Sequence, residues 1–318
     1  MTTTRATSRT LRRGAVLASL VLLAGCAGAP AAVPAAPQAE PVAASVVLPA
    51  AEACADATEA TTSYAPATGA AAPSVDAIRE RGQLRVGVSA DTLLMGARNP
   101  LSGEIEGFDI DMLHAVSAAI FGDPDRLQFR VITSAQRLEV LENHEVDLVA
   151  RAFTMNCERW ETIAFSAEYL TAGQKVLVTR DSEASGIEDL AGQRVCAPDG
   201  TTTLERLEET YPEVEAVPAP THTGCLVLFQ QGKVDAITGD DTILAGFAAQ
   251  DPYAKVVGEA FSAEPYGIGV ALDQPDLARF VNGVLDQAKT DGSWAAAYDR
   301  WLGALGPAPV PPVSVYGR

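Results

Sequence analysis

The chain has 318 residues, 47% of them hydrophobic and 20% charged, with a formal net charge of −18. Asp and Glu outnumber Lys and Arg 41 to 23, which argues against nucleic acid as a partner. It leaves the charge of a small ligand open, because a local site can oppose the net field.

At the start of the chain Arg5, Arg9, Arg12 and Arg13 precede an apolar run over 14–23. This is the pattern of a cleaved secretory signal, and the run is too short for a permanent membrane span, which needs about 20 apolar residues. Residues 1–25 are read as that signal, and their removal takes the net charge to about −22. Leu23-Ala24-Gly25-Cys26 resembles the lipobox of bacterial lipoproteins, which implies lipidation of Cys26 and attachment to the extracytoplasmic face of the cell membrane. Residues 26–73 hold no Lys or Arg and few large apolar side chains. Too little surface can be buried there to offset ordering entropy, so a flexible spacer is expected. Roughly 245 residues remain, enough for one large domain or two lobes.

Beyond the spacer, Ser74 is expected to cap a short helix that Gly82 stops, followed by a strand over 84–88. Gly107-Phe108-Asp109-Ile110-Asp111 opens a helix with Ile110, Leu113, Val116 and Ile120 at helical spacing and Gly122 as its stop. A strand over 127–131, a helix from Ser134 and an apolar strand over 146–149 complete a β-α-β-α-β series, the signature of a parallel sheet wound with helices. The series then restarts, with strands at 174–178, 194–197, 214–217, 234–238 and 255–257. Helices alternate with them at 202–209, 225–231 and 241–249. Helices at 275–290 and 293–302 follow, the second with Trp294, Tyr298 and Trp301 as packing anchors. A proline-rich tail from Gly306 is expected to lie extended over the surface.

Leu84-Arg85-Val86-Gly87-Val88, the Gly107 to Asp111 run, Val146-Asp147-Leu148 and the segment 154–159 together resemble the family 3 periplasmic solute-binding proteins. The resemblance covers nearly everything after Ser74. It implies an α/β, two-lobed periplasmic-binding-protein fold of type II, each lobe a mixed, mainly parallel sheet flanked by helices, with a two-strand hinge. Lobe I would be 74–168 plus 270–318, lobe II 174–264, and the hinge strands 169–173 and 265–269. Cys54, Cys157, Cys196 and Cys225 allow three pairings in an oxidising compartment. The lobes put Cys196 with Cys225 and leave Cys157 for Cys54. No C-x-x-C spacing occurs, and neither a metal nor another cofactor is expected.

Asp240-Asp241-Thr242 and Pro265-Tyr266-Gly267-Ile268-Gly269 resemble the branch that binds glutamate, aspartate or glutamine. The resemblance assigns Arg159, with Thr154 and Thr202, to a ligand α-carboxylate and Asp240 to its ammonium. Asp91 is a second candidate for the ammonium or for a pocket wall. Ser134, Arg137 and His222 match residues that reach a distal carboxylate, with Ala152 where that branch has a serine. An arginine of that branch has no counterpart near Ala90, and Arg151 is a candidate substitute. Leu93, Leu94 and Met95 stand where many relatives carry an aromatic ring, which weighs against a cationic or aromatic ligand. The chemistry fits these assignments: a guanidinium holds a carboxylate by two parallel bonds, and helix-start amides after Gly200 favour an anion.

A monomer that closes on a free amino acid and docks on an ABC permease or a sensory membrane protein is therefore expected. The rival is an enzyme resembling cyclohexadienyl dehydratase on the same fold. Arg137, Arg159, Thr202 and Asp240 are binding groups rather than a positioned acid or base, so no catalysis is expected.

Overall fold

The computed structural model describes residues 57–67 and 72–318; the signal, Cys26 and Cys54, and with it the expected Cys54–Cys157 bond, lie outside them. Two sheets organise the chain. The first has the strand order Leu127–Val131, Leu84–Val88, Leu148–Val149, Gly269–Ala271, Ile163–Phe165. Its first three strands are parallel and Gly269–Ala271 runs antiparallel to both neighbours. Val86, Val88, Leu148 and Val149 are buried, as a sheet covered on both faces requires. The helix Phe108–Phe121 packs on this sheet and ends at Gly122 in the left-handed region. Its start depends on Gly107, at φ 145°, where a Cβ would sit 2.3 Å from the Met95 carbonyl oxygen. The helices Pro275–Asp291 and Ser293–Leu302 return to the same body, and Phe108 meets the rings of Trp294 and Tyr298 edge-on at 5.8 and 6.3 Å.

The second sheet runs Glu215–Ala219, Arg194–Pro198, Ala236–Asp240, Leu170–Thr179, Ala254–Val257. Leu170–Thr179 is one continuous strand. Its first residues pair with Ala263–Tyr266 and its later ones with Ala236–Asp240 and Ala254–Val257, so the expected hinge strand and the first strand of the second lobe are one strand. The chain passes between the sheets on Leu170–Thr179 and returns on Ala263–Tyr266, giving the two-lobed type II architecture.

Several local expectations differ. The helix expected at Ser74 runs Pro73–Arg81 and has Ala72 at its cap with Pro73 next. Ser74 lies inside it, and its amide and hydroxyl both donate to the Asp276 carboxylate at 2.8 Å, so the orphan amide is satisfied from another helix. Arg137–Glu142 begins three residues after Ser134. His222–Gln230 begins three residues earlier than expected, because Thr221 accepts from the Gly224 amide as its cap.

The spacer is not uniform up to Pro73 either. Ala57–Thr61 is helical, Thr62–Ser63 pairs in parallel with Val315–Tyr316, and the Ser63 hydroxyl donates to the Phe165 carbonyl at 2.8 Å. Composition could not show this, since the ordering comes from backbone groups and partners far along the chain.

Cys196 and Cys225 form a disulfide, tying the strand Arg194–Pro198 to the helix His222–Gln230 with their Cα atoms 5.5 Å apart. The bond closes a loop between residues 29 apart in sequence, which limits the freedom of the unfolded chain by about 3.6 kcal/mol. Replacing both cysteines by Ala should lower the unfolding free energy in urea by that much and steepen the slope, because the uncrosslinked unfolded chain exposes more surface; a loss below about 1 kcal/mol would contradict the estimate.

Candidate functional site

The expected site residues lie at the carboxyl ends of parallel strands, where ligands enter open α/β sheets. In the first lobe Asp91 follows Leu84–Val88, Ser134 and Arg137 follow Leu127–Val131, and Arg151, Ala152 and Thr154 follow Leu148–Val149. In the second, Thr202 follows Arg194–Pro198, His222 follows Glu215–Ala219, and Asp240 ends its own strand. The two rims meet directly. A Cβ on Gly200 would sit 2.6 Å from Ala135 Cα and one on Gly246 2.5 Å from the Leu93 carbonyl oxygen. Thr223 donates its hydroxyl to the Asp91 carbonyl at 2.9 Å.

Arg137 and Arg159 converge from two short helices, Arg137–Glu142 and Cys157–Trp160. Arg137 donates to the carbonyls of Ser134 at 2.8 Å, Ala152 at 3.0 Å and, across the cleft, Gly200 at 2.7 Å. Arg159, in the short helix Cys157–Trp160 capped by Asn156, donates to the carbonyls of Thr154 at 2.6 Å and Gly200 at 3.5 Å. Both guanidinium groups stand over the Phe153 ring, at 4.4 and 5.2 Å from its centre. Thr202 lies with Thr154 across the cleft, their hydroxyl oxygens 3.5 Å apart, and donates to Glu264 at 2.7 Å. Asp240 accepts from the Tyr266 hydroxyl at 2.5 Å.

Residues 84–304 match the family described as bacterial extracellular solute-binding proteins, family 3. The chain belongs to this family. It is 35% identical over 227 residues to the ABC transporter glutamine-binding protein GlnH of Bacillus subtilis, covering 71% of this chain and 83% of that one. It is 33% identical over 227 residues to the glutamate-binding protein GluB of Corynebacterium efficiens, covering 68% and 77%. Among solved structures it resembles a solute receptor for L-cysteine of Neisseria gonorrhoeae, with a TM-score of 0.69, 28% identity, and coverage of 72% of this chain and 93% of that one.

The electrostatics of this solute-binding protein are uneven around the cleft. Arg137 and Arg159 are both buried, and neither has a carboxylate within ion-pair distance among the described residues. Burial, together with the charge of the other arginine, holds the Arg137 guanidinium well below its ordinary pKa. Burial pushes the Asp240 carboxyl up to about 8, and the nearby Glu264 charge adds to the effect. Asp240 Oδ1 has no hydrogen-bond partner, nor does the buried Nδ1 of His222. Burial and Arg151 bring the His222 pKa down to about 3, so the ring is neutral at physiological pH.

Two expected contacts have different partners. Arg151, 3.9 Å from Asp91, donates to the Ser134 hydroxyl at 2.5 Å and to the Ile132 carbonyl at 2.8 Å. Asp91 also accepts from Ser89 at 2.8 Å, so Asp91, Arg151 and Ser134 form a wall of mutually satisfied groups. Ala152 takes φ 41° and offers backbone rather than side chain: its amide donates to Asp109 at 2.8 Å and its carbonyl receives Arg137.

Sequence reasoning missed Phe153, Asp109 and Glu264. Glu264 sits in a strand as an isolated acid, and only folding brings it, fully buried, against Thr202. Asp109 reads in sequence only as a helix opener, yet its carboxylate joins the Ala152 amide to the Tyr169 hydroxyl. Phe153 reads in sequence as an ordinary core aromatic, and only the fold sets two cations over its ring.

Proposed function

We propose that this protein captures an acidic L-amino acid, glutamate or aspartate, outside the cytoplasmic membrane and delivers it to an ABC permease, tethered by a lipid on Cys26. The observation that carries the ligand assignment is the pair of buried guanidinium groups, Arg137 and Arg159, with no carboxylate within ion-pair distance among the described residues, beside a raised, half-satisfied carboxyl on Asp240. Buried charge is costly until it is paired. A dicarboxylic amino acid brings two carboxylates for two guanidiniums and one ammonium for one acid, so all three are neutralised together.

In this reading Arg159, with Thr154 and Thr202, holds the α-carboxylate and Asp240 Oδ1 receives the ammonium. Arg137, Ser134 and neutral His222, through its unpartnered ring nitrogen, face the distal carboxylate, with the Ala152 backbone fixing Arg137 and Asp91 completing the wall. Closure shields the ligand, and the closed form is the one the permease accepts. The relatives named for glutamine and for glutamate support an amino acid of this size.

The test is calorimetric titration with Asp, Glu, Asn and Gln after unfolding and refolding to strip carried ligand. The acids should bind at about micromolar Kd, near −8 kcal/mol, and the amides about tenfold or more weaker. Arg137→Ala should cost the acids about a hundredfold and the amides little. A preference for Gln in the unmodified protein would overturn the acidic assignment, and equal losses for Asp and Asn in the variant would take Arg137 off the distal carboxylate.

A further inference from the structure

The short helix Cys157–Trp160 that carries Arg159 is too short to hold its own geometry and depends on its surroundings, Asn156 capping its start. Its outer face is covered by two segments far away in sequence. Trp160, buried beside Arg159, donates its indole N–H to the Ala60 carbonyl at 2.7 Å. The Tyr64 ring meets Trp160 edge-on at 6.1 Å. On the other side the Arg318 guanidinium lies 4.1 Å over the Trp160 ring and donates to the carbonyls of Thr62 at 2.8 Å and Glu59 at 3.0 Å. The parallel pairing of Thr62–Ser63 with Val315–Tyr316 closes the two segments on each other, and the Ser63 hydroxyl fixes them to Phe165.

From Trp160 the contacts run inward. Its ring meets Phe165 at 5.5 Å, Phe165 meets Phe153 at 4.9 Å, and Phe153 is the platform under Arg137 and Arg159. A line of three edge-packed rings therefore joins the outer segments to the cations of the cleft, and Arg159 is held from both sides, by backbone sequence through Trp160 and by packing through Phe153.

We propose that residues 58–64 and 315–318 form a clasp that positions Arg159, making Trp160 and Arg318 positioning residues for recognition of the ligand's α-carboxylate. This rests on the reading of Arg159 given above. A fork-shaped, bidentate contact tolerates little displacement, so loosening the clasp lowers the affinity for the α-carboxylate selectively and leaves distal recognition by Arg137 and His222 in place.

The experiment compares the unmodified protein with Trp160→Phe, which keeps a ring and removes the N–H, with Arg318→Ala, and with both together. L-glutamate and its α-carboxamide, L-isoglutamine, are titrated against each. The double variant should lose about tenfold in affinity for glutamate and much less for isoglutamine, so that the ratio between them shrinks; Arg318→Lys should restore part of it. Amide hydrogen exchange in the ligand-free protein gives a reading that needs no ligand: protection across 157–160 should fall at least tenfold in the double variant while the helix Phe108–Phe121 is unchanged. An unaltered ratio together with unaltered protection would overturn the clasp. Arg159→Ala separates the two ideas, because retention of the glutamate–isoglutamine ratio in that variant would overturn the assignment of Arg159 itself.

Discussion

Arg159→Ala should abolish measurable binding of every amino acid, a loss of roughly a thousandfold or about 4 kcal/mol, because the ligand's α-carboxylate would enter the cleft without its counter-charge. The size follows from burial: Arg159 is 6% exposed and donates to the Thr154 and Gly200 carbonyls from its charged end, so water cannot replace it in the closed form. Arg159→Lys should recover only part of the loss, since an ammonium keeps the charge and loses the planar pair of donors. Titration calorimetry on both variants checks this. Full affinity in Arg159→Lys would mean that charge alone matters there, and full affinity in Arg159→Ala would place the α-carboxylate elsewhere.

Asp240→Asn should produce opposite effects on ligand-free stability and on binding. The Asp240 carboxyl is raised from 3.8 to about 8 by burial and by Glu264. For an acid whose folded pKa lies above its unfolded value, the unfolded state releases its proton first. Stability is therefore complete below about pH 4, falls as pH rises toward 8, and is level above that. A shift of about four units sets an upper limit near 6 kcal/mol, which opening of the lobes to water reduces. The ligand-free Asn variant should melt several degrees above the unmodified protein at pH 8 and together with it at pH 4. It should bind the ligand at least a hundredfold more weakly, because the ammonium loses its carboxylate. The same shift predicts that ligand capture at pH 7 releases up to about one proton from Asp240, read as a dependence of the calorimetric heat on buffer ionisation enthalpy. Melting curves that differ by the same amount at both pH values would remove Asp240 titration from the explanation.

These expectations rest on side chains of which some were legible in the residues and others were not. Thr202 and Asp240 stand at strand ends that periodicity places, and Arg159 lies in a short patterned segment, the helix Cys157–Trp160. Asp91 and Arg151 illustrate the opposite case. Each is a plausible ligand contact in sequence, yet the structure brings them within 3.9 Å of one another and links Arg151 to Ser134, and no local pattern announces which cations will find a carboxylate.

The sequence by itself determined the alternation of strands and helices, the parallel winding of two lobes and the stops at Gly82 and Gly122, while the resemblance to the family is what proposes the arginines, threonine and acid of the cleft. All of these depend on neighbours within a few residues or on a motif of short span. Only the tertiary structure decided that Asp276 caps the helix of Ser74, that hinge and lobe segments are one strand, that Glu264 faces Thr202, and that residues 58–64 close with 315–318 over Trp160. Each of those joins groups widely separated along the chain, and the free energy that selects them is the burial and pairing of polar groups in the folded body, which no stretch of sequence contains before the chain is packed.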